Sequence, residues 1–200
     1  ASKSYSSGEG GALTINNNKY FERSEFLWEK GTDRSLVTQG LKSKYSWVDY
    51  GSSFLPSDLL AALLFAQLEN KDTMLLQRKK LHNAYMSTFK PLESLGLKMT
   101  YVPSKIETNY HAFWLVFKTE KQRDFFLNLS LKKNITPYIG YIPLHSSPMG
   151  KQLGGDKYTL PITDHVSSAI ARLPFYLMET NEIEYTCQYL YSAAKIALES

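Results

Sequence analysis

Cysteine is nearly missing from this chain: Cys187 is the single one in 200 residues. That excludes an intrachain disulfide, and with it the small disulfide-stapled scaffolds, and it fits a reducing compartment. Long apolar runs are also missing. None approaches the roughly 20 residues of a membrane-crossing helix, and no secretory signal opens the chain. The expected location is therefore cytoplasmic, with no membrane partner. A strong excess of one charge is absent too, with 23 basic against 19 acidic residues. The densest basic cluster, Arg78-Lys79-Lys80, falls in a helical pattern and reads as a solvated face, so no nucleic-acid partner is expected. The four histidines (His82, His111, His145, His165) are scattered, and with one cysteine they show no metal-ligand spacing. There are no internal repeats.

What is present suits a packed protein. Hydrophobic residues make up 43% and aromatics 14%, enough for a core and too much for a disordered chain. Gly10 to Ile15 reads as a strand, followed by an Asn16-Asn17-Asn18 cap and a helix from about Lys19 to Lys30, stopped by Gly31. Residues 31–54 are irregular and rich in Gly, Ser and aromatics, the mark of a functional loop. Pro56-Ser57-Asp58 opens a helix, Leu59 to Ala66, that is apolar on all sides and is expected to be buried, with a subunit interface as one cover. Asn70 to Asp72 opens a long amphipathic helix to about Leu95, with Leu75, Leu81, Tyr85 and Phe89 near helical spacing.

The second part alternates. Tyr110 to Phe117 reads as a buried strand, and Lys121 to Lys132 as a helix with Phe125, Phe126 and Leu129 inward. Ile135 to Ile142 reads as a strand, 143–148 as a turn and 150–156 as a mobile loop. A helix capped by Asp164 runs to Arg172, Leu173 to Tyr176 forms a short strand, and Glu182 to Leu198 is a closing helix. Residues 75–200 thus read as a small α/β domain with helices on one face of a small sheet, and residues 1–74 as the remnant of something larger. His82 and His165 read as surface residues and His111 as a core histidine.

The chain opens on Lys3, then Ser4-Tyr5-Ser6-Ser7 and Gly8-Glu9-Gly10-Gly11. A lysine, a hydroxyl-rich turn and a glycine cluster before an apolar run is the layout of a lysine that carries pyridoxal 5'-phosphate (PLP). A frayed lysine on a Ser/Gly tail is the alternative. Other blocks follow in order: Gly51-Ser52-Ser53-Phe54 with Ala61-Ala62, Tyr110-His111-Ala112-Phe113, Tyr141-Ile142-Pro143-Leu144-His145 and Leu173-Pro174-Phe175.

Together these blocks resemble the DegT/StrS family of PLP-dependent nucleotide-sugar aminotransferases, across the whole chain. Glu29-Lys30-Gly31-Thr32-Asp33-Arg34 and Lys44-Tyr45-Ser46-Trp47 resemble most the members that make dTDP-4-amino-4,6-dideoxygalactose. The resemblance implies an α/β fold, the C-terminal half of a fold-type I PLP-dependent transferase, with the edge of the large domain at 1–74 and the small domain at 75–200. It implies transfer of an amino group from glutamate to a dTDP-4-keto-6-deoxyhexose in a homodimer, for polysaccharide biosynthesis. The N-terminal half of the same enzyme would lie outside these residues, and the isolated chain would be inactive.

The resemblance also assigns roles. Lys3 is the catalytic residue and binds the cofactor. A histidine at this position marks the family's dehydratases, so a lysine favours transamination. Ser53 stands where the family has an Asn that reaches the cofactor phosphate of the partner subunit. A hydroxyl can donate the same bond with shorter reach, and a plain turn residue is the alternative. His145 is implied to approach the sugar across the dimer interface, and Arg34, Lys44, Tyr45 and Trp47 to line the nucleotide-sugar cleft, where an aromatic beside cations suits a base and a diphosphate. A loop held in place by its own aromatics is the other reading. Two further readings of the whole chain stay open: a cofactor-free interaction or dimerisation module, and an inactive proteolytic fragment.

Overall fold

In the computed structural model, residues 3–200 are described, and the chain divides into two units, Ala1–Asn70 and Lys71–Ser200. The first unit holds α1 (Phe21–Trp28), preceded by a single 3₁₀ turn at Asn18–Tyr20, then α2 (Arg34–Thr38) and α3 (Asp58–Glu69). Asn17 caps the first turn by accepting from the Lys19 N–H, and Ser57 caps α3 by accepting from the Leu60 N–H. The expected strand at 10–15 is absent: those residues belong to no regular element and pair with no strand among the described residues, and Leu13 is exposed. Extended apolar sequence becomes a strand only where a ladder partner exists.

The expectation that α3 is buried also fails within this chain. Leu59, Leu63, Phe65 and Leu68 are exposed, and no residue of the helix is buried. The composition that predicts burial is real; nothing in the described residues supplies the cover.

The second unit carries the core. It runs α4 (Lys71–Phe89), β1 (Lys98–Met99), β2 (Trp114–Val116), α5 (Glu120–Leu131), β3 (Tyr138–Ile139), α6 (Pro148–Gln152), α7 (Pro161–Ala169), β4 (Ile170–Arg172) and α8 (Thr180–Glu199). The four strands form an antiparallel sheet in the order β1-β2-β4-β3. Met99, Leu115 and Ala171 lie in register across it and are buried. They pack with Leu81, Tyr85 and Phe89 of α4, Phe126 of α5, and Ile183, Cys187 and Leu190 of α8. Tyr85, Phe89 and Phe113 form a cluster of tilted rings at centroid distances of 5.3 to 6.4 Å. Burial raises the Cys187 thiol pKa, which keeps it a small apolar core group.

Helix ends follow their caps. Thr119 accepts from the Gln122 N–H to start α5. Glu179 and Glu182 form a reciprocal capping box at the start of α8, two residues before the expected start. The strands are shorter than the apolar runs that predict them, because backbone pairing extends past them in isolated bonds: Phe117 N–H to the Ala169 carbonyl (3.0 Å) and Leu173 N–H to the Phe113 carbonyl (2.9 Å). The strand expected at 173–176 is instead Ile170–Arg172, and the loop expected at 150–156 is α6 followed by a 3₁₀ turn, started by Ser147 accepting from the Gly150 N–H. Phe125 and Leu75 face solvent rather than the core.

Candidate active site

In the first unit, the Lys3 segment is tied down by side-chain bonds rather than by a strand. Gln67 of α3 donates from Nε2 to the Ser6 carbonyl at 2.6 Å, and its Oε1 accepts from the Ser6 N–H at 3.0 Å. Gly8 follows at φ +75°, a left-handed conformation that an L side chain resists. The side chain of Lys3 is exposed and makes no hydrogen bond or ion pair among the described residues.

The loop at 31–54 is pinned at its root. Gly31 adopts φ +74°, and a Cβ there would sit 1.8 Å from the Asp49 carbonyl oxygen. The Gly31 carbonyl accepts from the N–H groups of Val48 (2.8 Å) and Asp49 (3.0 Å). Asp33 is buried to 1% exposure; its carboxylate accepts from the Lys42 ammonium and from the Ser46 N–H. Those two donors hold the Asp33 carboxyl below the usual carboxylate range. The aromatics are not what holds the loop: Tyr45, Trp47 and Tyr50 are 56%, 75% and 83% exposed.

This root brings four of the expected residues close in the chain's architecture. Arg34 lies 5.9 Å from the Tyr45 ring centroid and 3.5 Å from Glu29 Oε1. Trp47 pairs with Thr32, and Ser53 with Glu29, as isolated bridges. The Ser53 hydroxyl is exposed and has no partner among the described residues. Lys44 is exposed on the same loop. No hydrogen bond joins Lys3 to this loop.

In the second unit, His145 is 15% exposed, and its Nε2 lies 3.0 Å from Asp164 Oδ1. Asp164 therefore does not cap α7, whose N-cap position is Leu160; its carboxylate orients His145 instead. Gly150 makes the turn around His145 feasible, since a Cβ there would meet the Leu144 carbonyl oxygen at 1.8 Å. His82 is buried at 6% exposure, not on the surface, between the rings of Tyr110 (5.1 Å) and Phe113 (5.2 Å). Among the described residues neither of its buried ring nitrogens has a hydrogen-bond partner, and burial lowers its pKa.

His111 is half-buried rather than in the core, and its Nε2 lies 3.4 Å from Arg172 Nη2. The Leu173-Pro174-Phe175 block is held from two sides. Tyr85 donates its hydroxyl to the Pro174 carbonyl (2.8 Å), and the Arg78 guanidinium sits 5.1 Å from the Phe175 ring centroid. Arg78 also donates to the carbonyls of Tyr110 (3.1 Å) and His111 (2.7 Å), which fixes the backbone leading into β2. Arg172 escapes a reading of the sequence by motif. Its signal is a charge in the otherwise apolar run Ile170-Ala171-Arg172-Leu173, which strand alternation turns to the face opposite the core.

The fold is similar to that of solved aminotransferases. The aminotransferase TlmJ from Streptoalloteichus hindustanus superposes with a TM-score of 0.79 at 17% identity, over 95% of this chain and 49% of that one. The putative sugar aminotransferase Spr1654 from Streptococcus pneumoniae, solved in its PLP form, gives 0.71 at 16% identity, over 94% and 46%. The DegT/DnrJ/EryC1/StrS aminotransferase family matches residues 1–190, and the chain belongs to that family. GDP-perosamine synthase from Escherichia coli O157:H7 is 25% identical over 192 residues, 93% of this chain and 48% of that protein. The chain spans about half the length of the curated relatives it matches.

Proposed function

We propose that this chain is the C-terminal half of a PLP-dependent nucleotide-sugar aminotransferase, which moves an amino group from glutamate to a dTDP-4-keto-6-deoxyhexose. The observation that carries the reading is Lys3: an exposed, uncommitted amine on a segment held to α3 by Gln67, in a chain whose family is one of aminotransferases.

The residues present suit the cofactor. Lys3 would hold it covalently, and Ser53, with a free exposed hydroxyl, would donate to its phosphate. When bound, PLP supplies the electron sink for the carbon acid chemistry. Lys3 Nζ takes the proton from the amino-bearing carbon of the donor and returns one to the keto carbon of the sugar. Both tasks require Nζ uncharged when it accepts and charged when it donates. Arg34 meets the sugar's diphosphate, while Tyr45 and Trp47 offer faces for the base. His145, oriented by Asp164, donates to or accepts from a sugar hydroxyl.

The parent enzyme on this reading is a homodimer in which each subunit lends Ser53 and His145 to its partner's site. The exposed apolar residues Leu59, Leu63 and Phe65 of α3 support it, since such a surface calls for cover by other protein.

The test uses the full-length enzyme loaded with PLP. Glutamate should shift its absorbance away from the visible edge, and a dTDP-4-keto-6-deoxyhexose should restore it. Lys3→Ala should abolish both changes. A folded protein that takes up no cofactor would instead favour an interaction module.

A further inference from the structure

A buried histidine lines a cavity in the second unit. Leu75, His82 and Met86 fall on one stripe of α4, since their spacing matches successive helical turns. The segment between β1 and β2 runs beside that stripe. Between them lies a cavity of about 660 Å³, with Val102, Ile106 and Tyr110 lining it from the segment. The volume falls in the range of small-molecule sites, roughly 300–1,000 Å³. None of the residues assigned above to the cofactor or the sugar lines it.

Two observations point to a ligand. His82 is 6% exposed, and neither ring nitrogen has a hydrogen-bond partner among the described residues. A polar group that is buried and unmet costs the fold its lost hydration and returns nothing. Only rings hold it in place: Tyr110 and Phe113 meet the imidazole edge to face at 5.1 and 5.2 Å. The wall beside it is also strained. Tyr110 takes φ +49°, uncommon for a non-glycine residue. Arg78 holds it there by donating to its carbonyl at 3.1 Å, and its own N–H donates to the Thr108 hydroxyl at 3.2 Å. A residue kept in a sparsely populated conformation by its surroundings is common at ligand sites.

The lining selects the ligand. Its charged groups are Lys79 and Glu107, one of each sign and both exposed, so nothing there calls for an ion. Leu75, Val102 and Ile106 supply apolar contact, and the Met86 thioether suits the edge of an aromatic ring. His82 is the one buried polar residue of the lining. Burial lowers its pKa, which favours the neutral ring. A neutral imidazole has one nitrogen that donates and one that accepts. A hydroxyl does either, so it can meet whichever nitrogen it reaches.

We propose that this cavity binds a small uncharged aromatic molecule of the phenol class, whose single hydroxyl bonds to His82. The proposal does not depend on the aminotransferase reading.

The test titrates the full-length protein by calorimetry with p-cresol and with toluene, the same molecule without its hydroxyl. The wild type should bind p-cresol about 5–10-fold more tightly than toluene, the effect of one net hydrogen bond. His82→Phe keeps a ring between Tyr110 and Phe113 and removes both nitrogens. In that variant the preference should vanish or reverse, because the hydroxyl then loses water and gains no partner. Ile106→Trp fills the cavity from an exposed position, so the fold tolerates it, and it should abolish binding of both molecules. Three results overturn the proposal: no p-cresol binding by the wild type, a preference for p-cresol that survives in His82→Phe, or binding that ignores Ile106→Trp. Should His82→Phe not fold, the wild-type preference and Ile106→Trp decide the outcome. None of these results bears on turnover, so the site and the aminotransferase reading stand or fall separately.

Discussion

Ser6 and Gln67 are joined by two hydrogen bonds across 61 residues of sequence, one at 2.6 Å and one at 3.0 Å. This pair anchors the lysine-bearing segment to α3. Each bond is partly buried, and together they contribute about 1–3 kcal/mol to the order of that segment. Gln67→Leu keeps the helix and removes both. The expected result is faster amide exchange at Ser6 and a weakened hold on the cofactor in the full-length enzyme, with helix content by circular dichroism unchanged. Unaltered exchange at Ser6 would mean that the segment is held by something else.

Gly31 and Gly40 make a matched comparison for the 31–54 loop. Both have positive φ, but a Cβ at Gly31 runs into the Asp49 carbonyl, while at Gly40 nothing lies within 4 Å. Gly40→Ala should cost about 1–2 kcal/mol, the strain of a left-handed alanine. Gly31→Ala adds the steric conflict and should cost about 3 kcal/mol or more. Amide exchange at Val48 and Asp49, both donors to the Gly31 carbonyl, measures the difference. Equal effects at the two sites would refute the close approach.

Asp33 makes the same loop acid-sensitive. Its carboxyl titrates below the ordinary range because Lys42 and the Ser46 N–H stabilise the anion. A carboxyl with a lowered folded pKa stabilises the fold above its unfolded value, about 3.9, and loses that contribution as pH falls through the folded one. Amide exchange at Ser46 should accelerate below about pH 4. In Asp33→Asn it should be fast at neutral pH already and nearly flat with pH. A wild-type protein whose Ser46 exchange follows only intrinsic chemistry through that range would contradict the assignment.

His82 acts in the second unit in a different window. Burial lowers its folded pKa, so the unfolded chain takes up the proton more readily. The stabilisation is present above the unfolded value, about 6.5, and declines as pH falls below it toward the folded pKa. His82→Phe keeps a ring between Tyr110 and Phe113 and removes the titration. Its thermal midpoint should change less than that of wild type between pH 7 and 5, with wild type falling faster. Parallel curves would show that His82 is not the group responsible.

How much of this was legible beforehand follows from the length scale of each signal. Helices of ten or more residues, α3, α5 and α8, are readable from their long apolar or amphipathic patterns, and Ser57 marks the start of α3, but the Glu179–Glu182 box starts α8 two residues ahead of the expected Glu182. Strands of two or three residues are not, since Lys98–Met99 offers no alternation to detect and the apolar run 110–117 keeps packing after its ladder stops. The burial expected of α3 is not met within the described residues, because composition reports what a helix needs covered and not which chain covers it. Lys3, Ser53 and His145 came from ordered motifs. Asp164 as the partner of His145, Gln67 as the anchor of Ser6, and Arg172 all depend on contacts between distant residues, which no local pattern carries.

The central claim is that Lys3 is the attachment point of PLP. The direct measurement is borohydride reduction of the full-length enzyme after loading with PLP, followed by peptide mass spectrometry. The account predicts one phosphopyridoxyl group, on the peptide that contains Lys3, and none after Lys3→Ala. A label on a different lysine, or an unmodified Lys3 in protein that has bound the cofactor, would contradict it.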